Sequence, residues 1–132
     1  MKKLFTGCYG HMRRYAKELP LVRISWGAPR GWKGTHPAEL GLAWRNFRKW
    51  KKGEFTGDNR ADYMKQLQEM RESGKLAEIL ARLQDNAVLL CWEADPADCH
   101  RGWLTEFLKA HKLADIKEVP HDKEVPHDCR VV

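Results

Sequence analysis

The sequence predicts a small three-layer, Rossmann-like α/β domain with a mostly parallel sheet of about four strands. Three observations carry that expectation. Short apolar runs alternate along the chain with stretches of helical spacing, the pattern of strands joined by crossover helices. The run Ala87-Val88-Leu89-Leu90-Cys91-Trp92 is apolar at every position, as a central parallel strand covered on both faces must be. A chain of 132 residues supplies one hydrophobic core and is too short for two.

The elements follow in order. Lys3-Leu4-Phe5-Thr6 reads as a first strand that ends at the loop Gly7-Cys8-Tyr9-Gly10-His11. A short helix over 12–18 is closed by Pro20, and Leu21-Val22-Arg23-Ile24-Ser25 reads as a second strand. Residues 26–36 hold Gly27, Pro29, Gly31 and Gly34, which makes them a long loop, and loops of that length in small domains are often functional. Helical spacing returns at Leu40, Ala43, Trp44, Phe47 and Trp50, at Tyr63, Leu67 and Met70, and at Leu76, Ile79, Leu80 and Leu83. After the central strand, Asp95-Pro96-Ala97-Asp98 is cap chemistry that launches a helix with Trp103, Leu104, Phe107 and Leu108 inward. Residues 116–119 read as a last edge strand. The domain is expected over 1–119. The polar tail, 120–132, includes part of a duplication in which Lys117-Glu118-Val119-Pro120-His121-Asp122 is repeated at once as 123–128.

Charge narrows the partners. The net charge is +6, but residues 1–60 carry fourteen basic against four acidic side chains, while 61–132 carry ten against fourteen. The halves are therefore +10 and −4, and the basic half points to a phosphate-bearing small molecule or nucleic acid. No apolar run approaches the roughly 20 residues of a membrane helix, so no membrane partner is expected. Lys2-Lys3-Leu4-Phe5 gives way to Gly and Tyr too early for a signal peptide, and a cytoplasmic location is expected. In that setting Cys8, Cys91, Cys99 and Cys129 read as thiols, ligands or nucleophiles rather than as disulfides.

The residues that can carry chemistry cluster by topology. Ligands of an open parallel sheet bind beyond the carboxyl ends of its strands. Cys91 and Glu93 fall at such an end, and Cys99, His100 and Arg101 fall in the first turn of the next helix. There the unpaired backbone N–H groups favour anions and lower a thiol's pKa. If the first strand lies beside this one, Cys8, Tyr9 and His11 join the same edge. Arg23, Ser25, Arg30, Trp32 and Lys33 arrive from the second strand and its loop. Arg23, Arg30 and Lys33 are then expected to face Arg101 across a cleft.

These motifs resemble those of the domain of unknown function 488 family. Its members carry a strand ending in Leu-Leu-Cys-x-Glu, here Leu89-Leu90-Cys91-Trp92-Glu93, and a helix opening with Cys-His-Arg, here Cys99-His100-Arg101. Thr6-Gly7-Cys8-Tyr9-Gly10-His11 is similar to the family's opening Gly-Tyr-Gly-His loop. Where many members end the second strand in Asp-Val-Arg, this chain has Arg23-Ile24-Ser25. The segment from Ile24 to Gly34 is similar to a compact branch found in phage and bacterial genomes. The resemblance runs from about Leu4 to Val119 and implies an α/β domain without a particular reaction.

Each residue also has an ordinary reading. Cys91 fits a small core position, and Cys99 fits packing at a helix start. His100 is an acid/base or a capping group. Arg101 holds an anion or pairs with Glu93 or Asp98. Trp26 and Trp32 stack on a base or cover a sheet end. Cys8, His11, Cys91, Cys99 and His100 are zinc-ligand types, but no Cys-x-x-Cys knuckle is present, so neither metal nor cofactor is expected. The absence of a Walker loop, a dinucleotide glycine fingerprint and a nucleophile elbow sets aside three large enzyme classes. What remains is an enzyme acting on a nucleotide, nucleobase or nucleic-acid phosphate. In it Glu93, Cys99 and His100 are catalytic, and His11, Ser25, Arg30, Trp32, Lys33 and Arg101 bind substrate. The competing reading is a non-catalytic nucleic-acid-binding or nucleotide-sequestering protein.

Overall fold

Four strands, all parallel, form one sheet in the order β2-β3-β1-β4 in the computed structural model, which describes residues 1–9, 19–25, 30, 32, 35–41, 58–91 and 100–119. The strands are β1 (Lys3–Cys8), β2 (Leu21–Arg23), β3 (Ala87–Cys91) and β4 (Asp115–Glu118). Among the described residues three α-helices accompany them: α1 (Asn59–Glu72), α2 (Lys75–Arg82) and α3 (His100–Ala110). A single 3-10 turn, Ala38–Leu40, stands where the helix starting near Leu40 was expected; residues 42–50 lie outside the described part.

Every residue of β3 is buried, as its unbroken apolar run requires. On one face Leu4, Val22, Leu89 and Ile116 pack with Leu67 of α1, Ile79 of α2 and Leu104, Phe107 and Leu108 of α3. On the other, Val88 and Leu90 are as deeply buried and pack with Tyr9, Phe5, Leu21 and Trp32. The expected helix over 12–18 lies outside the described residues, as do 120–132 of the tail.

Local signals place the helices. The Asp58 side chain accepts from the Ala61 amide at 3.1 Å and caps α1. Gly74, with φ +82°, separates α1 from α2 in a left-handed turn. The Lys2 ammonium donates to the Leu80 carbonyl at 2.7 Å and to those of Ala81 and Leu83, placing positive charge on the carboxyl end of α2.

The first strand is longer than its sequence suggests. It continues through Gly7 to Cys8, because Gly7 pairs with Leu90 and Cys8 with Cys91 along a central ladder that outweighs glycine's weak strand preference. The second is shorter, ending at Arg23.

Candidate functional site at the switch point of the sheet

β1 and β3 are neighbours whose chains leave in opposite directions, one to β2 beyond β3 and the other to β4 beyond β1. Their carboxyl ends therefore form the topological switch point of the sheet, where open α/β sheets hold ligands. The last register pair there is Cys8 and Cys91. β2 delivers Ile24 and Ser25 to the same edge: the Ile24 amide donates to the Leu90 carbonyl at 3.2 Å. The Ser25 hydroxyl, buried, lies 2.7 Å from the Tyr9 hydroxyl. Burial pushes the Tyr9 phenol up to about 12, so it stays protonated, although the Ser25 hydrogen bond and the Arg23 charge act the other way.

His100 opens α3 beneath these ends and is 6% exposed. Its Nε2 lies 2.5 Å from the Ile24 carbonyl, which can only accept, so Nε2 carries a proton. Burial holds the ring's pKa down at about 4; the Ile24 hydrogen bond opposes that shift and the Arg101 charge adds to it. The neutral ring then keeps its lone pair on Nδ1, which is 3.6 Å from the Cys91 sulfur. Tyr63 meets the ring edge-on, with centroids 5.5 Å apart. The second ring nitrogen of His100 thus faces the sulfur of Cys91.

The cysteines depart from expectation. Cys8 and Cys91 are each disulfide-bonded, not thiols. A disulfide depends on which sulfurs the fold brings together, and spacing along the chain does not show that.

Arg101 also departs from the expected arrangement. It is fully buried, and its guanidinium grips Glu118 of β4 with two contacts of 3.0 Å. The Thr6 hydroxyl donates to the same carboxylate at 2.6 Å. Glu118 of the edge strand supplies an anion that the sequence reading did not name; Glu93 and Asp98 lie outside the described residues. β4 and β2 are opposite edges of the sheet, so Arg23 does not face Arg101 across a cleft. Arg23 instead donates from Nε to the Ser25 carbonyl at 2.9 Å, and Arg30 is exposed. A cavity of about 500 Å³ adjoins the Arg101–Glu118 pair, lined by Thr6, Trp103, Thr105, Glu118 and the exposed ion pair Arg60–Glu106.

Trp32 is half-buried and packs edge-on against Tyr9, with centroids 5.7 Å apart. Its indole N–H is buried and has no hydrogen-bond partner among the described residues. The structure therefore brings Ser25, Trp32 and His100 to one sheet end and turns Arg101 toward the edge strand. His11, Lys33, Glu93 and Cys99 lie outside the described residues. Among the described residues no group of three His, Cys, Asp or Glu side chains is placed to hold a metal ion, and no helix is long and apolar enough to cross a membrane.

Glu118 was placed in the last edge strand by sequence but not recognised as the partner of Arg101. A signal was present: two residues after Ile116 in a strand it shares the inner face, where a carboxylate requires a partner.

Comparison with protein families matches residues 32–108 to the family described as Domain of unknown function DUF488. No match was found among curated proteins or among solved structures.

Proposed function

The chain belongs to the DUF488 family, and from that footing we propose that it is an enzyme acting on a nucleotide, nucleobase or nucleic-acid phosphate at the carboxyl ends of β1 and β3. One observation carries the reading. A buried, neutral histidine holds one ring nitrogen on a backbone carbonyl and turns the other toward Cys91 at the switch point. A ring fixed in one tautomer and neutral at physiological pH is suited to accept a proton. In this proposal His100 is the base, and Glu93 and Cys99, from the segment between β3 and α3, supply acid and nucleophile. His11, Ser25, Arg30, Trp32 and Lys33 hold the substrate's phosphate and base. Arg101 acts at one remove, by fixing the first turn of α3 to β4 through Glu118.

The test is turnover of a panel of nucleotides, nucleosides and phosphorylated oligonucleotide ends, followed by chromatography. His100→Gln and Cys99→Ala are each expected to lower kcat at least about 100-fold, the scale of a lost acid/base or nucleophile, with circular dichroism unchanged. A panel left intact, or variants as active as the parent, defeats the proposal.

A second reading, a nucleic-acid or nucleotide binder that breaks no bond, is favoured by the +10 charge of residues 1–60 and by exposed Arg30 near Trp32 in sequence. It predicts binding without turnover. For a polynucleotide, log affinity should fall against log salt by about 0.7 to 0.9 per phosphate contacted. A small enclosed ligand should show little salt dependence.

A further inference from the structure

We propose that the cavity beside the Arg101–Glu118 pair is a second binding site, which takes a nucleoside monophosphate with its ring against Trp103 and its phosphate between Arg60 and Lys109. The site lies apart from the switch point, since none of Tyr9, Ser25, Cys91 and His100 lines it. It does not rest on the enzyme reading above.

Shape gives the first reason. The cavity holds about 500 Å³, a volume typical of small-ligand sites. One wall is α3, where Gly102, Glu106 and Lys109 follow at helical spacing along a single stripe. The helical rise makes that stripe roughly 10 Å long, enough for a ring, a sugar and a phosphate in line. Near the start of α3, Trp103 lines the cavity and is half-buried. Its indole is steadied by the buried Tyr63, with centroids 6.2 Å apart and planes at 52°. A fixed aromatic face is a stacking surface for a nucleobase.

Charge gives the second. Glu118 lines the cavity, but Arg101 and Thr6 answer its carboxylate from within the fold. That leaves two cations, Arg60 and Lys109, against one carboxylate, Glu106. The ion pair Arg60–Glu106 is exposed on both sides, and such pairs contribute little to stability. It engages Nη2 of Arg60, so a phosphate can take other guanidinium N–H groups without disturbing the core. Lys109, exposed, stands one helical turn beyond Glu106. A bare anion would leave Trp103 uncovered, and a neutral ring would leave the cations unanswered. A ring joined to a phosphate answers both.

The experiment titrates the full chain with the four ribonucleoside monophosphates, their nucleosides, phenyl phosphate and inorganic phosphate. Calorimetry gives affinity, and assigned amide and indole N–H resonances give the place. Expected is one-to-one binding of at least one monophosphate, with shifts concentrated at Gly102, Trp103 and Lys109. Its nucleoside, phenyl phosphate and inorganic phosphate should each bind at least about tenfold more weakly, and Lys109→Ala or Arg60→Ala should weaken the monophosphate by about tenfold, the scale of one charge-assisted hydrogen bond. Both substituted side chains are exposed, so dichroism should be unchanged. Four results overturn the proposal: no monophosphate binds; phenyl phosphate or inorganic phosphate binds as tightly; neither variant weakens binding; or the shifts fall at Tyr9 and Ser25 instead. The last of these would support the switch-point reading while removing this one. Binding at Trp103 by a chain that turns over nothing would refute the enzyme reading alone.

Discussion

A histidine held neutral in the folded chain and free to protonate in the unfolded one makes stability depend on pH. For His100 the folded value is about 4, against an ordinary 6.5. Above pH 6.5 both states are neutral and the stability is complete. As pH falls below 6.5 the unfolded chain takes up the proton first, and roughly 3 kcal/mol is lost by about pH 4. The urea-unfolding free energy of the parent, minus that of His100→Gln, should shrink by that amount between pH 7 and pH 4. A constant difference would mean that the ring is not buried neutral. Arg101 makes the complementary case. Its buried guanidinium makes two contacts with Glu118, and Glu118→Ala should cost about 3 kcal/mol, the scale of breaking a buried ion pair by removing one partner. The repeated hexapeptide does not rescue it. Sliding β4 by six residues brings Glu124 to the position of Glu118 and preserves the strand's faces, but it also puts Asp122 where Ile116 is fully buried. Urea midpoints of Glu118→Ala, alone and with Glu124→Ala, should therefore coincide.

Among the elements, those with periodic apolar residues were legible and those made by pairing were not. The stripes Tyr63-Leu67 and Leu76-Ile79-Leu80 became buried faces of α1 and α2, and the apolar run at 87–91 became the central strand. Nothing local announces that Gly7 and Cys8 belong to β1, since their ladder partners Leu90 and Cys91 lie far along the chain. Nor does spacing reveal that the Tyr63 hydroxyl donates to the Leu40 carbonyl at 2.6 Å, tying α1 to the 3-10 turn. The break between α1 and α2 was legible, and its energetics are simple. A Cβ at Gly74 would meet nothing within 4 Å, so Gly74→Ala carries only the strain of a positive φ. A loss of about 1 kcal/mol is expected in thermal or urea unfolding, with Gly74→Asn costing less. Equal stability of the alanine variant and the parent would show that the turn relaxes to another conformation.

For the molecule as a whole, the strand order explains both what the motifs foretold and what they misplaced. Cys8, Ser25 and His100 were expected at one edge, and the order β2-β3-β1-β4 brings them there because the ends of β1, β2 and β3 are consecutive in the sheet. The meeting of Arg23 with Arg101 failed for the same reason: α3 leads into β4, so Arg101 pairs at the edge most distant from β2. The same order places β1 and β3 at the centre, each hydrogen-bonded on both sides, although β1 pairs with no strand near it in sequence. No partial sheet then survives the loss of either one. In native-state hydrogen exchange, peptides covering Lys3–Cys8 and Ala87–Cys91 should share one protection free energy, equal to that of global unfolding. In Glu118→Ala, Asp115–Glu118 should lose protection by more than the global decrease, because only one ladder and the Arg101 grip hold that edge. If β1 exchanges well before β3, the two central strands are not one cooperative unit, and the switch-point site between them opens without unfolding.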